Sequence, residues 1–285
     1  MSLPGRPDGQ PLGAKHEGTP SGLPDRLMAA YDTAGLLRLP SHEAVAFTVA
    51  DGFAAADAVR RLRIARGERP AGYKIGFTNR GIWDRYGVHQ PIWGPLWDTT
   101  TALLDGSSAA VSLQGLSQPR LEPEVVFGIA QTPRAGMSLP ELQGCLAWVA
   151  HGFEIVHTHF ENWRFSAADT VADFALHGRL RVGPRVPVQG WPALADDLAA
   201  LRVELLCDGC VVDRGQGAIV LDGPLNALRL WVDAMAEHTP GWPVRAGDVV
   251  TTGTLTDAWP LQPGQTWSTT LSDARLAPLT LHTLK

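Results

Sequence analysis

The stretch Leu121-Glu122-Pro123-Glu124-Val125-Val126-Phe127-Gly128-Ile129-Ala130 alternates in a way that only a β-strand can use. With a side-chain period of two, Leu121, Pro123, Val125, Phe127 and Ile129 share one face, and Glu122, Glu124, Val126 and Gly128 share the other. The first face is wholly apolar and has to be buried. The second carries two carboxylates at i and i+2, their Cβ atoms about 7 Å apart on a strand rising about 3.3 Å per residue. Side chains converging from that spacing can reach one cation, and without a cation they repel each other. A half-exposed strand with two solvated glutamates would read the same way.

Working outward, Gly152-Phe153-Glu154-Ile155-Val156 is the next strand candidate. A lone glutamate between Phe153 and Ile155 is costly to bury unless it is paired or bound to metal. Three carboxylates suit Mg²⁺ or Mn²⁺, hard ions that prefer oxygen. On the other side, Ala71 to Thr78 puts Tyr73, Ile75 and Phe77 on one face and Gly72, Lys74 and Gly76 on the other. Lys74 therefore stands on a face cleared of neighbouring side chains, either to meet a ligand or as a surface lysine on an edge strand whose glycines mark a bulge. In Arg245 to Leu255 a strand ends at Thr252-Gly253, where a hydroxyl and a backbone N–H could meet a carboxylate. An ordinary strand and turn would look alike. Histidines 151, 157, 159 and 177 cluster in sequence and could include a general base. Cys207 and Cys210 form Cys-x-x-Cys across an Asp208-Gly209 turn, without the second ligand pair that zinc requires.

The rest of the chain sets the frame. Gly/Pro/Ser-rich residues 1–22 read as a disordered tail. Residues 23–70 read as a helical N-terminal cap. Leu27, Met28, Tyr31 and Leu36 form one stripe, and Ser41 caps a second helix through Phe53, Ala56, Val59 and Leu62. Residues 71–285 read as a β-rich body, interrupted by helices over Leu142–Val149 and from Pro224 through Met235. Leu201 to Asp213 is expected to be a hairpin with a tight primed turn at Asp208-Gly209.

With 45% hydrophobic and 19% charged residues in 285, a sizeable core is available. A formal charge of −5 without a basic run argues against nucleic acid. No 20-residue apolar span is present, the opening residues lack a signal-like apolar region, and three cysteines make no disulfide framework. A cytoplasmic setting is expected.

Taken together, GYKIGFT (72–78), GVHQPIWGPLWD (87–98), PRLEPEVVFGI (119–129), FEIV (153–156), FENWRFSAADTVADFALHG (160–178) and RAGDVVTTGTL (245–255) resemble, in that order, the fumarylacetoacetate hydrolase superfamily. The likeness is to its 2-keto-4-pentenoate hydratase and 4-oxalocrotonate decarboxylase branch. It implies an α+β fold around a mixed β-roll, a Mg²⁺ or Mn²⁺ cofactor held by Glu122, Glu124 and Glu154, and a 2-oxo acid substrate. It also implies Lys74 as the active-site lysine, Asp98 as an acidic group near the substrate, and Thr252 with Gly253 as the carboxylate-holding segment. The chain departs from the family at Ala172-Asp173-Phe174-Ala175-Leu176-His177. There Phe174 would make the pocket bulkier and His177 introduces an imidazole that could orient water.

The reaction the resemblance implies first is hydration of a 2-hydroxy-2,4-dienoate. Decarboxylation of a 4-oxalocrotonate-type acid and acylpyruvate C–C hydrolysis follow, with a non-catalytic scaffold or ligand-binding role last. A homo-oligomer, with association with a related pathway enzyme as an option, goes with the family; nucleic-acid and membrane partners do not.

Overall fold

The computed structural model describes residues 19–44, 46–86, 88–239 and 241–285; most of the tail expected over residues 1–22 lies outside them. The chain enters through two helices, α1 (Leu23–Thr33) and α2 (Val49–Ala65). α1 stops where Ala34 turns left-handed, so Leu36 falls outside the stripe expected for it and is exposed. α2 is capped by Thr48, not by Ser41. The Thr48 hydroxyl accepts from Asp51 N–H while the Asp51 carboxylate accepts from Thr48 N–H, a reciprocal capping box. Ser41 sits in a short 3₁₀ turn and donates both N–H and O–H to Asp169.

Strands then alternate with short helices. They are β1 (Pro70–Gly76), α3 (Trp83–Tyr86), β2 (Ile92–Trp97), β3 (Thr101–Leu103), β4 (Ser108–Ser112), β5 (Arg120–Ile129), α4 (Leu139–Gln143), β6 (Leu146–Val156), α5 (Ala167–Ala172), β7 (His177–Val182), β8 (Val186–Pro187) and α6 (Leu194–Ala200). The chain continues through β9 (Arg202–Cys207), β10 (Cys210–Gln216), α7 (Pro224–His238), β11 (Val249–Thr254), β12 (Trp259–Pro260), β13 (Thr266–Leu271) and β14 (Thr280–Leu284).

Among the described residues the strands form two sheets. The larger runs β2-β1-β11-β5-β6-β7-β3, with β12 beside β5 and β8 beside β6. The smaller runs β10-β9-β13-β14-β4. β1 is parallel to β11, while β11, β5, β6 and β7 are antiparallel in turn. This mixed α+β architecture is the one expected.

The apolar face of β5 is buried as its alternation requires. Val125, Phe127 and Ile129 pack with Tyr73, Ile75, Val250 and the α7 residues Leu228 and Trp231, and Phe53 of α2 joins the same core. At the other end Leu121 packs with Phe153, Ile155, Leu205, Trp267 and Leu281, joining the two sheets.

The helix expected over Leu142–Val149 is not formed. Gly144 follows α4, and from Leu146 the chain is strand, with Val149 opposite Phe127. Leu146-Ala147-Trp148-Val149 is an unbroken apolar run, which a short strand and a buried helix share, so periodicity does not separate them. The helix from Pro224 and the hairpin are present. Cys207 and Cys210 face each other across Asp208 (φ 49°) and Gly209 (φ 81°), both left-handed as a type I′ turn requires. Among the described residues no helix is long and apolar enough to cross a membrane.

Gly72 is the tightest backbone approach next to Lys74. It has φ 138°, and a Cβ there would lie 1.8 Å from the Val249 carbonyl oxygen of β11. Gly72→Ala is expected to destabilise the fold by about 3 kcal/mol or more, through clash and strain together. Urea unfolding checks this, and a change under about 0.5 kcal/mol would refute the assigned β1–β11 contact.

Candidate metal centre

β5 and β6 place the carboxylates. In their antiparallel register Glu122 is opposite Glu154, and Glu124 is opposite Gly152. Residues directly opposite share a face, so Glu154 joins the Glu122/Glu124 side without further help. The absence of a side chain at Gly152 leaves room beside Glu124. Ligand oxygens of the three glutamates lie within 4.8 Å of one another. Glu124 and Glu154 are fully buried and Glu122 is half-buried. Among the described residues no second group of three such ligands is found, and Cys207 and Cys210 stand at the hairpin tip without further ligands.

Lys74 comes from two strands away. It pairs with Thr251 of β11, which pairs with Val126 of β5, so all three point to the carboxylate face. The strand is internal, with β2 on its other side, and Lys74 is 3% exposed; it is not the surface lysine of an edge strand. Its Nζ lies 3.5 Å from Glu154 Oε2. Burial alone would lower its pKa, but Glu154 first, then Glu122 and Glu124, outweigh that and hold it above the ordinary value.

The carboxylates respond unequally. Burial, then repulsion from Glu154 and Glu122, pushes Glu124 well above its usual range, while burial pushes Glu122 up to about 7. Burial would also raise Glu154, but Lys74 and a hydrogen bond from His177 prevail and hold it low.

Each buried carboxylate has one oxygen anchored by a hydrogen bond and one without such a bond, that of Glu154 facing the Lys74 ammonium. Gly253 N–H donates to Glu124 Oε2 at 2.8 Å, and His177 Nδ1 is 2.8 Å from Glu154 Oε1. Glu124 Oε1 and Glu154 Oε2 have no hydrogen-bond partner among the described residues. With all three carboxylates ionised, one ammonium leaves two negative charges to be balanced, which matches a divalent cation. The oxygen-only donor set suits Mg²⁺ or Mn²⁺.

The remaining expected residues divide. Asp98 is not brought to the centre. It lies just past the end of β2, four residues on from Gly94, the partner of Lys74, hence about 10 Å or more down the strand direction. It is exposed and accepts from Arg69 N–H and Nε. Thr252 and Gly253 are both engaged inside the chain. The Thr252 hydroxyl donates to the Val125 carbonyl oxygen, and the Gly253 N–H serves Glu124. Gly253 has no room for a side chain, since a Cβ would sit 1.8 Å from Thr78 Oγ1.

The Phe174 ring faces away from the pocket expected for it. It packs on Tyr31 (5.0 Å between centroids) and His159 (5.9 Å), because its left-handed backbone turns it toward the N-terminal helices. Ala175 lies against Gly94 in its place, where a Cβ on Gly94 would be 2.8 Å from that of Ala175.

Of the four clustered histidines, His177 alone is bonded to a candidate ligand side chain. His151 donates to the Glu124 backbone carbonyl and bonds Thr269; burial drops its pKa to about 4. His159 pairs with Asp173, and His157 accepts from Ser117 N–H. Two residues escaped sequence reasoning. Thr251 faces the carboxylate side, buried, with a hydroxyl lacking a partner among the described residues, and Thr100 holds His177 Nε2 at 2.9 Å. Only strand register distinguishes Thr251 from Thr252.

No family model matches the chain. Among curated proteins, 2-hydroxyhexa-2,4-dienoate hydratase of Comamonas testosteroni is 32% identical over 76% of this chain and 80% of its own length. A 2-keto-4-pentenoate hydratase of Paraburkholderia phymatum is 36% identical over 68% of this chain and 71% of its own. The chain belongs to the hydratase and decarboxylase branch of the fumarylacetoacetate hydrolase superfamily. A solved member of this branch, 4-oxalocrotonate decarboxylase from Pseudomonas putida G7 complexed with magnesium and adipate, superposes with a TM-score of 0.83 at 26% identity. The match covers 92% of this chain and 96% of that one.

Proposed function

We propose that the chain is a divalent-metal-dependent hydro-lyase that adds water to a 2-hydroxy-2,4-dienoate to give a 4-hydroxy-2-oxo acid. The observation that carries this reading is the meeting of Glu122, Glu124 and Glu154 around two unpartnered oxygens, with the Lys74 ammonium beside them. The names of the hydratase relatives support the substrate class.

The three glutamates would hold Mg²⁺ or Mn²⁺, which when bound supplies a fixed positive charge beside the substrate's carboxylate and 2-oxo group. Gly253 and His177 keep the ligand oxygens turned inward. Lys74 Nζ carries the proton that the dienol takes up at its terminal carbon as the 2-oxo form appears. The proton the 2-hydroxyl gives up returns to Lys74, and water then adds across C3=C4 of the resulting enone, its oxygen to C4 and a proton to C3. Asp98 is too far along β2 to orient that water, and both His177 nitrogens are already engaged.

The test incubates purified protein with Mg²⁺ and a panel of 2-hydroxy-2,4-dienoates, with products read by mass spectrometry. The expected result is gain of water, abolished by EDTA and restored by Mg²⁺ or Mn²⁺. Turnover unaffected by EDTA would refute the metal-centred reading. A second reading, decarboxylation of a 4-oxalocrotonate-type acid, is favoured by the 0.83 superposition on such an enzyme. Release of CO₂ from 4-oxalocrotonate in the same assay would select it.

A further inference from the structure

Phe174, Ala175 and Leu176 hold φ 57°, 49° and 66° in succession, and none is glycine. Three consecutive left-handed residues are strained, so the surrounding structure must hold them there. Both ends of the turn are pinned. Asp173 accepts from the Thr158 hydroxyl, from His159 N–H and from the His159 ring. At the other end His177 is clasped between Glu154 and Thr100. The strain thus delivers one imidazole to one carboxylate.

We propose that Thr100 is a positioning residue for the metal centre, its hydroxyl fixing His177 in the Nδ1–H form so that the imidazole clamps Glu154 and turns the free Glu154 oxygen inward. An ionised Glu154 can only accept, so the 2.8 Å contact requires the proton on His177 Nδ1. A neutral ring then offers a lone pair at Nε2, and the group facing it at 2.9 Å is Thr100 Oγ1, which can donate. The other acceptor near that hydroxyl, the Trp97 carbonyl oxygen, is farther away at 3.2 Å. Thr100 and His177 are 2% and 1% exposed, so no bulk water replaces a missing partner.

Without the hydroxyl, the Nε2 lone pair is buried without its donor, so the ring no longer gains from keeping its proton on Nδ1. Loss of that proton from Nδ1 would set a lone pair against Glu154 Oε1. Glu154 would then be free to swing toward Lys74, 3.5 Å from its other oxygen. Losing the group that orients a metal ligand commonly costs 10- to 100-fold in metal affinity, and Thr100→Val is expected to lose that orientation through His177. The same arrangement makes His177 a support for Glu154 and leaves it no free nitrogen for substrate.

The inference rests on the metal-centre reading and not on the choice of reaction. Its test compares Mn²⁺ affinity, read by electron paramagnetic resonance of free Mn²⁺, in the wild type, Thr100→Val and Thr100→Ser. Alongside it, ¹⁵N NMR of the histidine rings reads the His177 tautomer in the metal-free wild type, and circular dichroism reads the fold. We expect the Nδ1–H tautomer, binding about 10-fold weaker or worse in Thr100→Val, and recovery to near wild type in Thr100→Ser. Wild-type affinity in folded Thr100→Val overturns the proposal, as does an Nε2–H tautomer, which stands as evidence even if the valine variant fails to fold. A wild type that takes up no Mn²⁺ overturns the metal centre itself, and this proposal with it.

Discussion

Glu124→Gln is expected to reduce metal-dependent turnover by about three orders of magnitude, the scale of losing several kcal/mol of fixed charge at an enolate-forming site. Loss of one negative charge is only part of the reason. Gly253 N–H donates to Glu124 Oε2, so the position it serves must be an acceptor. A glutamine that keeps this bond puts its amide oxygen there and its NH₂ where Glu124 Oε1 now lies, pointing hydrogens at the cation. Flipping the amide restores an oxygen to the ion but sets NH₂ against Gly253 N–H. Either orientation is unfavourable.

The variant also separates a lost site from a lost fold. Burial and two neighbouring carboxylates disfavour an ionised Glu124 in the metal-free chain. A neutral isostere relieves that repulsion, so the metal-free variant should melt at or above the wild-type temperature. Its melting point should no longer rise with added Mg²⁺, because a ligand stabilises only the state that binds it. Thermal melts with and without Mg²⁺, beside the activity assay, check both halves. Full turnover in Glu124→Gln, or a metal-induced shift equal to wild type, would remove Glu124 from the ligand set.

The local part of this centre was legible because alternation is a local property. Glu122 and Glu124 share a face by counting alone, and Lys74 between two glycines shows the same period. Glu154 needed one further step, since an acidic residue inside Phe-Glu-Ile-Val has to find a partner. Its partnership with Glu122 depends on strand register, which a single chain does not print.

The failures have separate physical origins. Leu146 to Val149 reads as helical because Leu-Ala-Trp-Val is an unbroken apolar run that lacks the alternation that marks strands, even though Ala147 is exposed. Asp98 looked close to the site because it ends a segment resembling the family. Each strand residue advances about 3.3 Å, however, so four residues remove it from Lys74. Phe174 and His177 could be seen to depart from the family pattern. Three left-handed residues between them reverse where each points, and that is decided by the clamps on Asp173 and His177. Thr48 and Asp51 carry the full capping-box pattern, whereas Ser41 is followed three residues on by Ala44 and offers only the cap residue type.

Lys74→Met should have opposite effects on binding and turnover, which makes it the sharpest test of a catalytic lysine. The side chain is buried, and methionine keeps most of its volume without the ammonium. In the metal-free chain the loss removes the cation that faces three carboxylates, so stability should fall. A divalent cation would then meet the same carboxylates without a competing positive charge 3.5 Å from Glu154, so Mn²⁺ affinity should hold or rise. Turnover should nevertheless drop by about 10²- to 10⁴-fold, the usual contribution of a positioned proton donor.

A lysine that served only to neutralise the glutamates would behave otherwise. The bound cation would take over its role, and the metal-loaded variant would turn over normally. Comparing kcat at saturating Mn²⁺ with the Mn²⁺ dissociation constant separates the two. Near-normal kcat with unchanged affinity would assign Lys74 to charge balance alone and leave the dienol's proton to come from elsewhere in the pocket.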